Sequence, residues 1–280
     1  MADPQRPNLL IGVTGTATDI GKTWVGCRLV VELRQRGRTV AARKPAQSFE
    51  VDDPTTDADE LARASDEDTF VVCPPHRRYE VAMAPPMAAD ALGRDRITID
   101  QLVGEVRSSW GGRASDVGLV ETAGGVRSPI AHDGDAIDLL GALDIDLVLL
   151  VADAGLGTIN SIRLTLDALD TLTRPTVIIF NRWDETNDLH RRNLEWCLRD
   201  PVVGRASIVT SVPLLADLIV ERSPTHCIDC GRSSCTGQCA SDPLEAPHFC
   251  PLCGRAVAVT IIPTGWTTKC RVHGEVGHSI

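Results

Sequence analysis

Gly15-Thr16-Ala17-Thr18-Asp19-Ile20-Gly21-Lys22-Thr23 is the stretch on which the reading of this chain turns. An apolar run, Leu9 to Val13, precedes it, and a stretch with helical character, Thr23 to Gln35, follows it. Strand, glycine loop, Gly-Lys-Thr and helix make a phosphate cradle. Backbone N–H groups and the positive end of the helix face an anion, Lys22 reaches the terminal phosphates, and the Thr23 hydroxyl is placed to ligate magnesium. Binding of a nucleoside triphosphate is therefore expected. One detail is off the common pattern: five residues, not four, separate Gly15 from Gly21.

Working outward, apolar β-branched runs alternate with amphipathic stretches. Strands are expected at Leu9–Val13, Thr39–Arg43, Val117–Glu121, Leu147–Val151, Thr176–Asn181 and Ala206–Thr210. Helices are expected at Thr23–Gln35, Asp57–Ala64, Ile99–Trp110, Ala136–Leu143, Asn160–Leu172 and Leu189–Leu198. The strand runs are apolar throughout, as strands must be when helices cover both faces of a parallel sheet. The pattern is α/β, a doubly wound and mostly parallel sheet of the P-loop type. Its ligands sit at the carboxyl ends of the strands. Leu215 to Ser223 closes the domain, and Ser223-Pro224-Thr225 reads as a linker. The expected organisation is a P-loop domain over 1–222 and a small cysteine-rich module over 223–280.

The chain has 280 residues and is 43% hydrophobic, enough for a sizeable core. No apolar run has the length of a membrane span, and Met1 to Asn8 is polar without a signal-peptide segment, so a cytoplasmic protein is expected. Five acidic and five basic residues cancel between Glu221 and Ile280, so the net charge of −10 belongs to the first 220 residues. Nucleic-acid binding needs clustered Lys and Arg, and this balance argues against it. Seven of the ten cysteines fall between Cys227 and Cys270, which in a cytoplasmic chain favours metal ligation over disulfides. Cys27 reads as a small packing residue, His132 as a solvated loop histidine, and Trp110 and Trp196 as packing residues.

A magnesium-bound nucleotide needs a second carboxylate. Glu121 ends an apolar strand in Gly118–Gly125, GLVETAGG, and so reaches the ligand edge, while Gly124 and Gly125 let the backbone turn closely around a phosphate. Lys44-Pro45 ends the second strand. From spacing alone Lys44 is equally well a surface lysine or a member of the same crevice.

Taken together, GVTGTATDIGKT, RKPAQS, VETAGG with SPI, and DAGLGTIN resemble dethiobiotin synthetase, the ATP-dependent family of biotin synthesis. The resemblance covers about Leu9 to Ala216 and includes the five-residue spacing in the loop. It implies that Asp19, Ile20, Gly21, Lys22, Thr23 and Trp24 line the ATP phosphates, with Thr23, Asp57 and Glu121 around magnesium. Thr122, Ala123 and Gly124 would lie near phosphate and substrate. Lys44 and Lys22 would be catalytic, and Thr18 and Ser48 would contact substrate. Asn181 and Arg182, with Pro213, Leu214 and Leu215 closing over the base, would hold the adenine. Gly157, Thr158, Ile159 and Asn160 would receive the substrate's distal carboxylate from the neighbouring subunit of a homodimer, a role that suits a helix N-terminus. The activity implied is carboxylation of a diamine, 7,8-diaminopelargonate, with bicarbonate or carbon dioxide and ring closure to a cyclic urea.

Some residues depart from the family's pattern. Thr122 replaces the first glycine after the glutamate and is expected to narrow the site or alter the approach to the substrate; Phe49 replaces the glycine after Ser48 and is expected to cover the pocket or pack. Arg127 and Arg182 add charges. In the opposite direction, Met83-Ala84-Pro85-Pro86-Met87-Ala88-Ala89 is similar to a proline-containing substrate loop of some members.

The module beyond residue 223 is outside that pattern. Cys250-x2-Cys253 and Cys270-x2-His273 have the spacing of a zinc ribbon, with Ala256–Ile262 and Trp266–Val272 as its hairpin. Cys227, Cys230, Cys235 and Cys239 offer a second zinc, an iron–sulfur cluster, or spare thiols around one shared site. So small a module is expected to draw folding energy from a metal and to be structural by default, with a protein partner, nucleic acid or the neighbouring domain as what its surface would bind. Two other functions compete with ring closure: a regulatory P-loop ATPase acting through the module, and an ATP-dependent ligase for a different amine.

Overall fold

Six runs of apolar sequence pair into one parallel sheet: β1 (Leu9–Gly15), β2 (Val40–Arg43), β3 (Val117–Glu121), β4 (Leu147–Asp153), β5 (Thr176–Asn181) and β6 (Ser207–Val209). The computed structural model describes residues 6–111, 115–222, 226–232, 235, 239, 246–262, 265–272 and 274–279. The strand order is β6-β5-β4-β1-β3-β2, with every neighbouring pair parallel. Parallel neighbours need long crossovers, and helices supply them: α1 (Lys22–Gln35), α2 (Asp57–Ser65), α3 (Pro85–Ala91), α4 (Ile99–Ser108), α5 (Ala136–Ala142), α6 (Thr158–Leu169), α7 (Asp188–Arg199) and α8 (Val212–Arg222).

The strands are buried on both faces because they are apolar on both faces. Every residue of β1, β2 and β3 is buried. Leu10, Val120, Leu139, Leu150, Ile178 and Phe180 belong to the larger core, and Ala42, Ala58 and Leu61 to a smaller one beside β2 and α2. Each such Leu, Ile, Val or Phe side chain contributes about 1.5–3 kcal/mol on burial. Gly12 is required by packing: a Cβ there would lie 2.6 Å from Leu140 Cδ2 and 2.8 Å from Ile145 Cδ1.

Helix starts follow local chemistry. Thr98 and Gln101 form a capping box before α4, and Asp135 accepts hydrogen bonds from Ile137 and Asp138 before α5. At α2 the Asp59 carboxylate accepts from both Thr56 N and Oγ1, which makes Asp57 the first residue of the helix. Some limits differ from expectation. Helix α6 begins at Thr158 rather than Asn160, because Gly157 at φ +89° turns the chain there, and it gives way to a 3-10 turn at Asp170. The four-residue helix Thr69–Val72 and α3 were not expected, since neither spans enough residues for a helical period to register. His132 is a correction. Its side chain is 6% exposed, with Nδ1 accepting from Ile97 N at 2.9 Å and Nε2 at 3.1 Å from Asp90, so it staples α4's approach rather than facing water. Trp110 is buried beneath Arg43, 4.6 Å from ring centre to guanidinium carbon, whereas Trp196 is 40% exposed. Cys27 lies on α1, and burial followed by the charge of Glu121 pushes its thiol up to about 12, so it is inert.

The chain divides into two compact units, one running to Asp217 and one from Leu218. The second contains an antiparallel meander of β7 (Ala258–Ile262), β8 (Gly265–Cys270) and β9 (Gly274–Ser279). The expected hairpin is present, with a third strand whose glycines hid it.

Replacing Gly12 by Val forces a branched side chain between two fully packed neighbours. We expect a loss of about 1–3 kcal/mol, read as a lower urea midpoint at unchanged slope.

Candidate active site

Parallel register assembles the site. Val13 of β1 lies beside Glu121 of β3, and Arg43 of β2 lies beside Val120, so Lys44 arrives next to Glu121. On the other flank Gly15 lies beside Val151, and Asp153 beside Asn181. Residues remote in sequence therefore share the carboxyl edge of one sheet, directly at the glycine loop.

At its centre is a buried charge cluster. Lys44 Nζ donates to Glu121 Oε1 at 2.5 Å and to Asp57 Oδ2 at 2.7 Å. Thr23 Oγ1 donates to the same Glu121 oxygen at 2.7 Å. The side chains of Lys44 and Glu121 are 3% and 1% exposed, whereas Asp57 is open to the cavity. Burial alone would depress the Lys44 ammonium, but Glu121 and then Asp57 outweigh it and raise its pKa, so it stays charged. Lys22 shifts the other way: burial, then the charge of Lys44, lower it, partly offset by Glu121 and Asp57. Burial would raise Asp57, but the charge and hydrogen bond of Lys44 hold it below the usual carboxylate value.

Glu121 Oε2 is buried with no hydrogen-bond partner among the described residues. Gly26 of α1 leaves space beside it, a Cβ there lying 3.5 Å from that oxygen. An orphaned carboxylate oxygen, the Thr23 hydroxyl and the exposed Asp57 carboxylate are hard oxygen donors, a set that fits magnesium held jointly with phosphates.

The loop is braced from the end of β5. Asn181 Nδ2 donates to Ile20 O at 2.8 Å, and Arg182 Nη2 to Asp19 O at 2.8 Å. Gly21 has φ +90°, and a Cβ there would come within 2.2 Å of Asn181 Nδ2. Lys22 Nζ reaches back to Ala17 O at 3.1 Å. Lys22 is buried in the throat of a cavity of about 800 Å³ lined by Thr18, Asp19, Gly21, Lys22, Thr23, Lys44, Ser48, Asp57, Ala123 and Gly124 among the expected residues. Glu121 lies beneath this lining. Ser48 Oγ is buried without a partner among the described residues. Phe49, Gln47, Thr56 and Ala82–Pro85 line the same cavity. Gln47 was missed: its Nε2 donates to Thr56 Oγ1 and its Oε1 accepts from Ala58 N, both at 3.0 Å, which fixes the start of α2 and hence Asp57. Its position inside RKPAQS was the only signal.

A second cavity, about 660 Å³, opens on the other side of Gly21 and is lined by Trp24, Asn181, Arg182 and Pro213 with Arg28, Phe180 and Trp183. Three aromatic rings and a polar amide suit a planar base. The aromatic Phe180 and Trp183 were legible only as neighbours of Asn181. Leu214 is exposed and Leu215 is buried, and neither lines this cavity; Ile20 is buried behind the loop. Gly157 to Asn160 start α6 and line neither cavity, and no side chain caps that helix start.

The departures sort themselves by position. Thr122 does not narrow the cavity: it is fully buried, with Oγ1 3.3 Å from Val13 O and 3.2 Å from Thr14 Oγ1, turned back between β1 and β3. Arg127 is exposed and pairs with Asp135 at 2.9 Å. Phe49 does face the cavity, with the Arg78 guanidinium 5.8 Å from its ring centre.

In the cysteine-rich unit, the thiols of Cys227, Cys230, Cys235 and Cys239 lie within 4.8 Å of one another, and those of Cys250, Cys253 and Cys270 do likewise. Each cluster could hold a metal ion. His273, expected as the fourth ligand of the second, lies outside the described residues.

Residues 10–222 match a family described as an AAA domain. The chain is 38% identical over 179 residues to an ATP-dependent dethiobiotin synthetase of Anaeromyxobacter sp. (strain Fw109-5), covering 63% of this chain and 78% of that protein. It is 39% identical over 159 residues to the enzyme of the same name from Caulobacter vibrioides, covering 56% and 72%. With that of Rhodococcus erythropolis it shares 35% over 205 residues, covering 72% and 85%.

A depressed carboxylate stabilises the fold above its unfolded pKa and loses that contribution as pH falls through its folded value. The stability gap between the parent and Asp57→Asn should thus be full above pH 3.8 and close on further acidification. Urea unfolding at a series of pH values reads this; a gap unchanged to the lowest accessible pH would contradict it.

Proposed function

The chain belongs to the ATP-dependent dethiobiotin synthetase family, and from that premise we propose that it carboxylates and closes 7,8-diaminopelargonate to dethiobiotin, using ATP, magnesium and carbon dioxide or bicarbonate. The observation that carries this reading is the Lys44–Glu121–Asp57–Thr23 cluster beside the glycine loop: the ammonium groups of Lys44 and Lys22 and the oxygens of Thr23 and Asp57 line one cavity, with Glu121 beneath them.

The chemistry asks for positioning and charge. One amine of the substrate adds to carbon dioxide and loses a proton, giving a carbamate. A carbamate oxygen attacks the γ-phosphorus of ATP and ADP leaves. The second amine then attacks the carbonyl carbon, phosphate departs, and a cyclic urea closes. Lys22, in the throat, faces the transferring phosphoryl group, and Lys44 remains cationic to neutralise carbamate and phosphate oxygens. Magnesium, when bound by Thr23, Asp57 and Glu121, supplies further charge neutralisation. Thr18 and Ser48, with Ala123 and Gly124, contact the substrate in the larger cavity; Trp24, Asn181 and Arg182 hold the base in the smaller one. The uncapped start of α6 at Gly157–Asn160 suits the distal carboxylate of a substrate held in a neighbouring subunit, which makes the working form a homodimer.

The cysteine-rich module, residues 223–280, is appended to this enzyme as a structural zinc element, with one Zn²⁺ on Cys227, Cys230, Cys235 and Cys239 and another on Cys250, Cys253, Cys270 and His273. Soft thiolates at this spacing favour zinc. No described helix is long and apolar enough to cross a membrane, which fits a cytoplasmic enzyme.

Incubation with ATP, magnesium, bicarbonate and 7,8-diaminopelargonate should yield dethiobiotin, detected by mass spectrometry. Lys44→Ala should lower turnover by about 10²–10³-fold while ATP still binds; full turnover in that variant, or no product from a parent that binds ATP, would reject the assignment. Elemental analysis of the purified chain should find two zinc ions per chain, and iron with visible absorbance would replace zinc by a cluster.

A further inference from the structure

One short pattern occurs twice in the cysteine-rich unit. Cys227-Ile228-Asp229-Cys230-Gly231-Arg232 and Cys250-Pro251-Leu252-Cys253-Gly254-Arg255 both read Cys-x2-Cys-Gly-Arg. Both fold alike. The first cysteine's N–H donates to the arginine carbonyl, at 3.0 Å from Cys227 and 2.8 Å from Cys250, and the glycine N–H returns to that cysteine's carbonyl at 2.8 Å in each. Both glycines take positive φ, +69° and +65°, which a side chain rarely adopts.

The two knuckles are also joined to each other. His226 N donates to Pro251 O at 2.9 Å, and His248 N and Phe249 N donate to Ile228 O at 2.9 and 2.8 Å. Glycine faces glycine: a Cβ on Gly254 would stand 2.3 Å from Gly231 O, and one on Gly231 would stand 2.6 Å from Gly254 O. The residue before each first cysteine covers the other knuckle's glycine, with Phe249 over Gly231 and His226 over Gly254. The arrangement is reciprocal.

Each knuckle nevertheless sends its thiols to a different cluster. Sulfur–sulfur distances are 3.4 Å for Cys227–Cys239, 2.9 Å for Cys235–Cys239 and 3.8 Å for Cys253–Cys270. Sulfurs on a tetrahedral zinc, with bonds of about 2.3 Å, lie about 3.8 Å apart. Apolar packing does little here. From residue 226 onward, only Cys250, Thr268 and Cys270 are buried among the described residues, and every residue of β7 is exposed.

We infer that the two clusters are one cooperative bimetallic unit, in which a soft divalent cation bound at either knuckle tightens binding at the other. This rests on the zinc reading above. Metal binding supplies the folding energy that a core would otherwise supply. A knuckle that loses its metal and opens withdraws the backbone hydrogen bonds and the glycine contact that hold its partner in shape. Linkage makes the effect equal in both directions.

The test uses the full chain loaded with zinc. Elemental analysis first establishes two zinc ions per chain; fewer would defeat the two-site reading itself. Zinc release to the chelating dye 4-(2-pyridylazo)resorcinol is then followed for the parent, Cys235→Ser and Gly254→Ala. In Cys235→Ser, which removes a ligand of the first cluster only, zinc on the second should leave at least about tenfold faster than in the parent, within the usual range of coupling. Loss of both ions from that variant is the same result at its limit. Gly254→Ala keeps every cysteine but disrupts the glycine contact, and it should speed release from both sites. Parental release from the untouched site in both variants, with two zinc ions confirmed in the parent, would overturn the coupling and leave the zinc assignment standing.

Discussion

A carboxylate buried at the end of a parallel strand must be neutralised, and in this protein that requirement organises the edge of the sheet. Glu121 is enclosed by β1, α1 and β2, and its charge is met by Lys44 and the Thr23 hydroxyl. Breaking such a pair by removing one partner costs about 3–5 kcal/mol, because the other charge stays buried and unpaired. The pair therefore locks three elements together: the strand carrying Glu121, the strand ending in Lys44, and the helix that opens the phosphate loop. Asp57 extends the cluster to the cavity wall through the start of α2. One Glu121 oxygen, beside Gly26 of α1, is left without a hydrogen-bond partner among the described residues, so the device that holds the fold also keeps a hard oxygen donor in reserve beneath the cavity lining.

The smaller cavity is built in a related way. Asn181 and Arg182 line the smaller cavity and also brace the loop through the carbonyls of Ile20 and Asp19. Arg182 sits at φ +56° and bridges to Asp153, so a charge added after Asn181 becomes a strut between two strand ends. The lengthened loop is thus supported from the end of β5, and the missing Cβ of Gly21 lets it hold a left-handed conformation against Asn181.

The cysteine-rich unit follows different physics. The P-loop unit buries continuous apolar strands, whereas in the second unit Cys250, Thr268 and Cys270 are the buried positions among the described residues and β7 is exposed throughout. Its order comes from knuckle geometry, paired glycines and thiol clusters.

Local patterns made the α/β class, the six strands and the phosphate loop legible, because alternating apolar runs and a Gly-Lys-Thr turn are written within a few residues. The short helices Thr69–Val72 and Pro85–Ala91 and the glycine-rich third strand of the meander were too brief or too weakly patterned to be read. The resemblance added Asp57, Ser48 and Asn181 to the site, and all three line its cavities. Lys44 was ambiguous from spacing, and the register of β2 on β3 decided it by setting its ammonium 2.5 Å from Glu121. His132 was misread, and Thr122 does not narrow the cavity, because side-chain direction depends on neighbours far along the chain: Thr122 turns toward Thr14, and His132 is enclosed by Asp90 and Ile97. Residue types and short spacings were enough to write the phosphate loop and the two thiol sets into the chain, because each is confined to a few consecutive residues. Which groups meet, which are buried and how the two knuckles face one another follow from the folded chain, because strand register and packing join positions that no local pattern relates.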